Sequence, residues 1–181
     1  MAEIDFLKSA LLNSNVIAFL KMISLSEGAD YNSLFGDSIN DPNNRKTFDS
    51  YSNHPSCQYP QLPKPYGYTT YVNKAGESIN TSAAGRYQII KPTWIGNGER
   101  KGLQQILQLP DFSPQSQDIA ALELLSEKDV VQKLMDGNFS VALEAAASIW
   151  ASLPNANSNQ PEHTLAEVTK WFVDSGGQVI S

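Results

Sequence analysis

Two short stretches carry residue types that could do chemistry together. Residues 26–30 read Ser-Glu-Gly-Ala-Asp, and residues 84–88 read Ala-Gly-Arg-Tyr-Gln. Glu27 sits where an apolar helical pattern runs out, with Gly28 directly after it. A carboxylate at that point faces the negative end of the helix dipole, which disfavours its ionised form. Partial burial against the aromatic residues downstream would push the same way. A carboxyl kept neutral near pH 7 can donate a proton, and cleavage of a glycosidic bond needs such a donor. On local sequence alone, however, a glutamate that ends a helix is ordinarily a solvated surface residue.

The second stretch is read in two ways. Ser82, Ala83, Ala84 and Gly85 let a backbone approach another segment or a ligand closely. Tyr87 offers a ring and a hydroxyl and Gln88 an amide, groups that suit sugar recognition. The alternative is a tight turn with Tyr87 in the core. Further on, the Asn/Ser/Gln run 155–160 after Trp150 and Pro154 could line a cleft with polar side chains. His54, Cys57 and His163 do not make a metal site. Zinc needs three or four ligands with supporting spacing, and the two histidines are more than a hundred residues apart. No glycine-rich phosphate loop and no Ser-His-Asp arrangement is present. No metal or other cofactor is expected.

The elements that must position these groups follow from periodicity. Val16 to Leu25 has helical spacing (Val16, Ile17, Leu20, Ile23), with Ser14 or Asn15 as cap and Gly28 as stop. Residues 1–13 lead in as a turn or short helix. From 29 to 85 tyrosine, asparagine, proline, glycine and threonine dominate. There the spacing predicts a small hairpin, Tyr66–Val72 and Glu77–Ser82, about an Asn73-Lys74-Ala75-Gly76 turn. Short helices are predicted at Pro92–Trp94, Leu103–Leu109 and Asp129–Met135. Another follows Ser113-Pro114, with Ile119, Leu122 and Leu125 on one face. A helix opened by Ser140 is expected to run to Pro154 with Val141, Leu143, Ala147 and Trp150 internal. Thr164 and Glu167 form a capping box for a last helix through Val173, stopped by Gly176-Gly177. The expected class is α+β, mostly α, in one domain. It would have an N-terminal extension over 1–15, a β/loop lobe over 29–85 and a helical lobe over 86–181. A glycan-sized gap is expected between the parts, with the carboxylate at one lip.

With 181 residues the chain can bury roughly two-thirds of its unfolded surface in one domain. It has no apolar run of about 18 residues, the length a membrane-spanning helix needs. Its first residues are not basic and lack a clean cleavage site, so cytoplasmic synthesis is expected. A single cysteine fits that compartment. The net charge of −6 argues against non-specific nucleic-acid binding and against attraction to anionic membranes.

In its ordered motifs the chain resembles the lambda-type phage endolysins, a family of peptidoglycan lytic transglycosylases that includes the lysozymes of P2-like phages. The resemblance runs collinearly from about residue 16 to the C-terminus. It rests on Ala18-Phe19-Leu20, Ser26-Glu27-Gly28, Phe48, Tyr51-Ser52, His54-Pro55 and Gly85-Arg86-Tyr87-Gln88. Asp111 to Pro114, Ser116-Gln117-Asp118, Ile149 to Pro154, Gln160, Glu162-His163 and Gly176-Gly177 complete it. It implies a lysozyme-like fold with a small β-hairpin region after the first long helix. It also implies cleavage between N-acetylmuramic acid and N-acetylglucosamine, with Glu27 as the single proton-handling residue and 1,6-anhydro ends on the product. Implied substrate contacts are Ser26, Asn32, Tyr51, Gly85, Tyr87, Gln88, Ser158, Gln160 and His163. The partner is then peptidoglycan glycan, bound by a monomer with no nucleic acid and no stable membrane insertion. The chain would reach the cell wall through a holin-type membrane lesion.

Two departures stand out. The family's Tyr-Asp-Val-Ile is Tyr31-Asn32-Ser33-Leu34 here, and its Gly-Ala-Gly-Tyr-Gly-Gln is Asn155-Ala156-Asn157-Ser158-Asn159-Gln160. Two other functions compete. One is a hydrolytic muramidase with Asp30, Asp37 or Asp49 as second carboxylate. The other is a peptidoglycan-binding protein of reduced activity.

Overall fold

The computed structural model describes residues 3–58 and 69–179. These residues form two compact units. One is built from the chain up to Ser26 and from Ala121 onward; the other is Glu27–Ala120. The class is α+β and mostly α, as expected, with one two-stranded antiparallel sheet among the described residues.

In the first unit, α1 (Ile4–Ala10) precedes α2 (Ser14–Glu27), and the two axes meet at 87°. The α2 cap is not Ser14 or Asn15 but Asn13. Its side-chain oxygen accepts from the Asn15 and Val16 amides at 3.0 and 3.3 Å. A residue must stand one turn short of the amides it caps, which shifts the cap one position upstream of the expected pair. Val16, Ala18, Phe19, Leu20, Met22 and Ile23 are all buried. Such a helix is apolar on most faces and belongs inside, although Ile17 is 48% exposed. Phe19 meets Phe139 and Phe172 edge-on at 6.2 and 6.4 Å, and those two rings stack at 4.3 Å. No single helix among the described residues is long and apolar enough to cross a membrane.

The second unit begins at the end of α2. It contains α3 (Pro55–Gln58), β1 (Thr69–Val72), β2 (Ser78–Thr81), α4 (Lys91–Ile95) and α5 (Leu103–Ile106). The hairpin is where the spacing placed it, with Thr69 opposite Thr81 and Val72 opposite Ser78; residues 66–68 lie outside the described residues. The Asn73 side chain accepts from the Ala75 and Glu77 amides, which folds the turn locally. The core is a ring cluster about Phe112, with Trp94 and His54 at 4.8 and 4.9 Å and Phe48 at 6.0 Å.

The long α6 (Pro114–Ser126) carries Ile119, Leu122 and Leu125 on its buried side, as expected. After it come α7 (Val130–Met135), α8 (Phe139–Ala146) and α9 (Leu165–Asp174). Helix α8 stops eight residues before Pro154. Ser148 Oγ donates to the Ala145 carbonyl at 2.8 Å, and the next turn tightens to Ile149 N on Ala146 O. A hydroxyl competing for a helical carbonyl favours such an ending. Val141 is 50% exposed rather than internal, whereas Trp150 is buried beyond the helix end. The capping box on α9 is present in both directions.

Candidate active site

Glu27 is the last residue of α2 and is half-buried. Gly28 follows with φ +60°, a left-handed stop that a residue with a Cβ adopts only with strain. The residue before Glu27 is firmly held within the first unit. Ser26 is buried, its hydroxyl donates to the Ile23 carbonyl at 2.9 Å, and the Ser152 hydroxyl lies 3.1 Å from it. His163 Nε2 lies 3.1 Å from the Ser26 carbonyl, so that nitrogen carries the proton. Its backbone amide donates to Ser152 at 2.9 Å, and its ring meets Trp171 edge-on at 4.8 Å. Ser26 and His163 thus fix the backbone next to Glu27.

The polar run ahead of His163 forms a loop. Asn155, Asn157 and Asn159 have φ of +65°, +52° and +58°. These are the three positions at which the resembling family carries glycine, and asparagine is among the side chains that best tolerate that region. Asparagine at these positions is therefore compatible with the left-handed backbone that glycine also adopts. Ser158, in place of a tyrosine, is exposed and its hydroxyl reaches the Ala151 carbonyl at 3.4 Å. Gln160 is half-buried. Glu162 organises the loop: its two carboxylate oxygens accept from the amides of Asn155 and Asn157 at 3.0 and 2.9 Å.

In the second unit the small-residue stretch approaches a segment of protein. Gly85 has φ +75°, and its N–H donates to the Ser33 carbonyl at 2.8 Å. A Cβ there would lie 2.2 Å from Gln117 Oε1. Gln117 is fully buried. Its amide nitrogen donates to the carbonyls of Tyr31 and Phe112 at 2.9 and 2.8 Å, and its oxygen accepts from Arg86 N at 2.9 Å. One side chain thus ties the segment after Glu27 to the 84–88 turn. Gln88 has φ +49° and donates to the Gly85 carbonyl through its side chain at 3.0 Å.

Tyr87 follows the second of its two readings, the core one. Its ring is 1% exposed and offers no face to a sugar. Its hydroxyl donates to Asp118 at 2.6 Å, and Tyr31 donates to the same carboxylate at 3.0 Å. Arg86 lies 3.8 Å from Asp118, 2.5 Å from the Tyr31 hydroxyl and over the Tyr31 ring at 4.8 Å. Burial pushes the Asp118 carboxyl above its ordinary range, against the hydrogen bonds and the Arg86 charge that favour ionisation. Burial likewise pushes Tyr87 well above the usual phenol value, reinforced by the Asp118 charge. Of this cluster only Tyr87 was a site candidate from the sequence. The signal that could have found the rest is the co-occurrence of a buried-type tyrosine and an aspartate on an apolar helix.

Asn32 is half-buried, and its carbonyl accepts from Phe48 N at 3.0 Å. Tyr51 is half-buried, packs edge-on against Phe48 at 5.4 Å, and has its pKa raised by burial and then by the Asp30 charge. Asp37 is engaged throughout. Its side chain is 1% exposed and accepts from Arg45, from Ser33 Oγ at 2.5 Å and from Lys46 N at 2.6 Å. Burial raises its pKa, but those hydrogen bonds outweigh burial and hold the carboxyl below its ordinary value. His54 is fully buried. Its Nε2 donates to the Ile89 carbonyl at 2.9 Å and its Nδ1 accepts from Ser56 N at 3.2 Å. Among the described residues no group of three or more His, Cys, Asp or Glu could hold a metal ion.

Comparison with known proteins bears on family and fold. Residues 17–179 match the model of the Endolysin family. The endolysin of Escherichia phage P2 is 31% identical over 172 residues, covering 91% of this chain and 94% of that protein. The endolysin of Escherichia phage lambda is 29% identical over 178 residues, covering 93% and 95%. The lysozyme of bacteriophage lambda complexed with a chitohexasaccharide superposes with a TM-score of 0.73 at 29% identity, covering 93% of this chain and 97% of that one. A second structure of the bacteriophage lambda lysozyme gives a TM-score of 0.69 at 27% identity. A glutamate that ends a largely buried helix, and matches in sequence and structure over more than nine-tenths of the chain, lead to one assignment: the chain belongs to the Endolysin family and has the lysozyme-like fold.

Proposed function

We propose that the chain is a phage endolysin that cleaves peptidoglycan as a lytic transglycosylase, with Glu27 as its one proton-handling residue. Glu27 protonates the oxygen leaving C1 of N-acetylmuramic acid. As a carboxylate it then takes the proton from the 6-hydroxyl of the same sugar, which attacks C1. The C1–O bond to N-acetylglucosamine breaks, a C1–O6 bond forms, and no water is consumed. An intramolecular nucleophile is effective because its local concentration reaches about 10⁵–10⁸ M in well-oriented cases.

The observation that favours this reading over hydrolysis is the state of Asp37, which removes it from the three candidates for a second carboxylate. A muramidase needs a second carboxylate free to attack or to activate water. Asp37 has a side chain 1% exposed whose oxygens already accept from Arg45, Ser33 and Lys46. Asp30 and Asp49 are exposed, and Asp30 accepts from the Tyr31 amide at 2.8 Å. The chitohexasaccharide bound to the lambda lysozyme supports a glycan strand as the ligand here.

Asn32, Tyr51, Gln88, Ser158 and Gln160 are the proposed sugar contacts. Ser26, Gly85, Tyr87 and His163 act by positioning backbone and neighbours. The protein works as a monomer, without nucleic acid and without membrane insertion. It is made in the host cytoplasm and acts on the wall once a lesion opens the membrane. Digestion of purified murein in ¹⁸O-water tests the chemistry: the new ends should be 1,6-anhydro and unlabelled. Labelled reducing ends would establish hydrolysis and direct attention to Asp30 and Asp49.

A further inference from the structure

We infer that Glu162 is a positioning residue for glycan binding, acting as a clamp on the 155–160 loop. The inference rests on the function proposed above. The left-handed residues Asn155, Asn157 and Asn159 alternate with residues of ordinary backbone. Backbone that alternates this way turns successive N–H groups toward one side and makes a small concavity that attracts anions. Glu162 fills that concavity, one carboxylate oxygen on each of two amides at 3.0 and 2.9 Å. Charge-assisted bonds to backbone amides are roughly twice as strong as neutral ones.

Packing does little to hold the loop. Residues 155 and 157–159 are exposed, and Asn155 and Asn157 border an open pocket of about 430 Å³ that Leu143, Glu144, Pro154 and Leu165 also line. Hydrogen bonds along the exposed part of the loop include an internal one, Asn157 Nδ2 to Asn155 O at 2.9 Å, and two long ones, Ala156 N to Leu153 O at 3.3 Å and Ser158 Oγ to Ala151 O at 3.4 Å. Glu162 is also the immediate neighbour of His163, whose ring is fixed on the carbonyl of Ser26, the residue before Glu27. The same short segment therefore sets the position of Ser158 and Gln160 at one end and grips the backbone beside the acid at the other.

The test compares wild type, Glu162→Gln and Glu162→Asp. Glu162→Gln keeps the length but turns an NH₂ toward one of the two amides. Four quantities are read: Kd for chitohexaose by calorimetry, kcat on murein, hydrogen exchange at the Asn155 and Asn157 amides, and Tm. Glu162→Gln should weaken chitohexaose binding about tenfold and speed exchange at both amides by at least tenfold, with kcat within about twofold and Tm lower by only a few degrees. Glu162→Asp, which keeps the charge, should recover part of the binding. Unchanged chitohexaose affinity alongside faster exchange would overturn the clamp while leaving the proposed function standing. A fall in kcat with unaltered binding would overturn it too, because Glu162 would then act on the chemistry. A wild type that leaves murein uncut would overturn both readings.

Discussion

His54 makes acid a specific threat to the second unit. The folded protein holds it neutral, with its pKa lowered to about 4 from the ordinary 6.5. Desolvation is the main cause and the Lys91 charge adds to it, while the hydrogen bond to the Ile89 carbonyl opposes them. The geometry gives the reason in atoms. Nε2 donates to a carbonyl and Nδ1 accepts from an amide, so protonating Nδ1 would set N–H against N–H. Because the folded value lies below the unfolded one, the unfolded chain binds the extra proton first as pH falls. Stability from this group is complete above about pH 6.5, is lost as pH drops through the window, and the loss levels off below about pH 4.

The whole span is worth about 3 kcal/mol, and about 2 kcal/mol of it is gone by pH 5. Urea unfolding at pH 7 and pH 5 measures this directly. Wild type should lose about 2 kcal/mol more between those conditions than His54→Gln, which has no proton to take up. NMR gives an independent reading, because the chain holds two histidines and the variant identifies which signal belongs to His54. A His54 ring signal titrating near pH 6.5 in the folded protein, or equal losses in wild type and variant, would refute the reasoning. The expected first casualty is the turn at 84–89, since the carbonyl that His54 holds also accepts from Ala84 N.

Three further expectations bear on the site. Glu27→Gln should lower lytic activity by about 10²–10⁴-fold or more without unfolding the protein; near-normal clearing of a murein suspension would remove Glu27 from its role. Gly85→Ala combines a left-handed φ with a Cβ 2.2 Å from a Gln117 oxygen that hydrogen bonds hold in place, so denaturant titration should show a loss of about 2–5 kcal/mol. Asp37→Asn should cost about 1–3 kcal/mol in stability, the worth of hydrogen bonds to a charged group, while kcat stays within about twofold; loss of turnover in a folded variant would instead make Asp37 catalytic.

The parts of the molecule that were legible in the sequence are those decided by near neighbours. The Thr164–Glu167 box, the Asn73 turn and the Gly28 stop each involve residues within four positions, so local rules suffice. The Asn13 cap was off by one residue because Asn13, Ser14 and Asn15 all have capping side chains. Tyr87 was ambiguous because its partner Asp118 lies 31 positions away. The same holds for Gln117, whose hydrogen bonds reach back 31 and 86 positions. Glu27 could be singled out because a helix end with a following glycine is a local signal. What fixes the backbone around it, His163 on Ser26 O, spans 137 positions and has no local trace.

The asparagines of the 155–160 loop also bear on how a ligand is received. Glycine at those three points would reach the same backbone, but from a far larger set of free conformations. Asparagine narrows that set before anything binds, so less disorder is surrendered when a glycan settles on the loop. Such a loop gives up plasticity in return. It favours partners that fit its existing shape, and it leaves little room to remodel around glycans whose acetyl or peptide decoration differs.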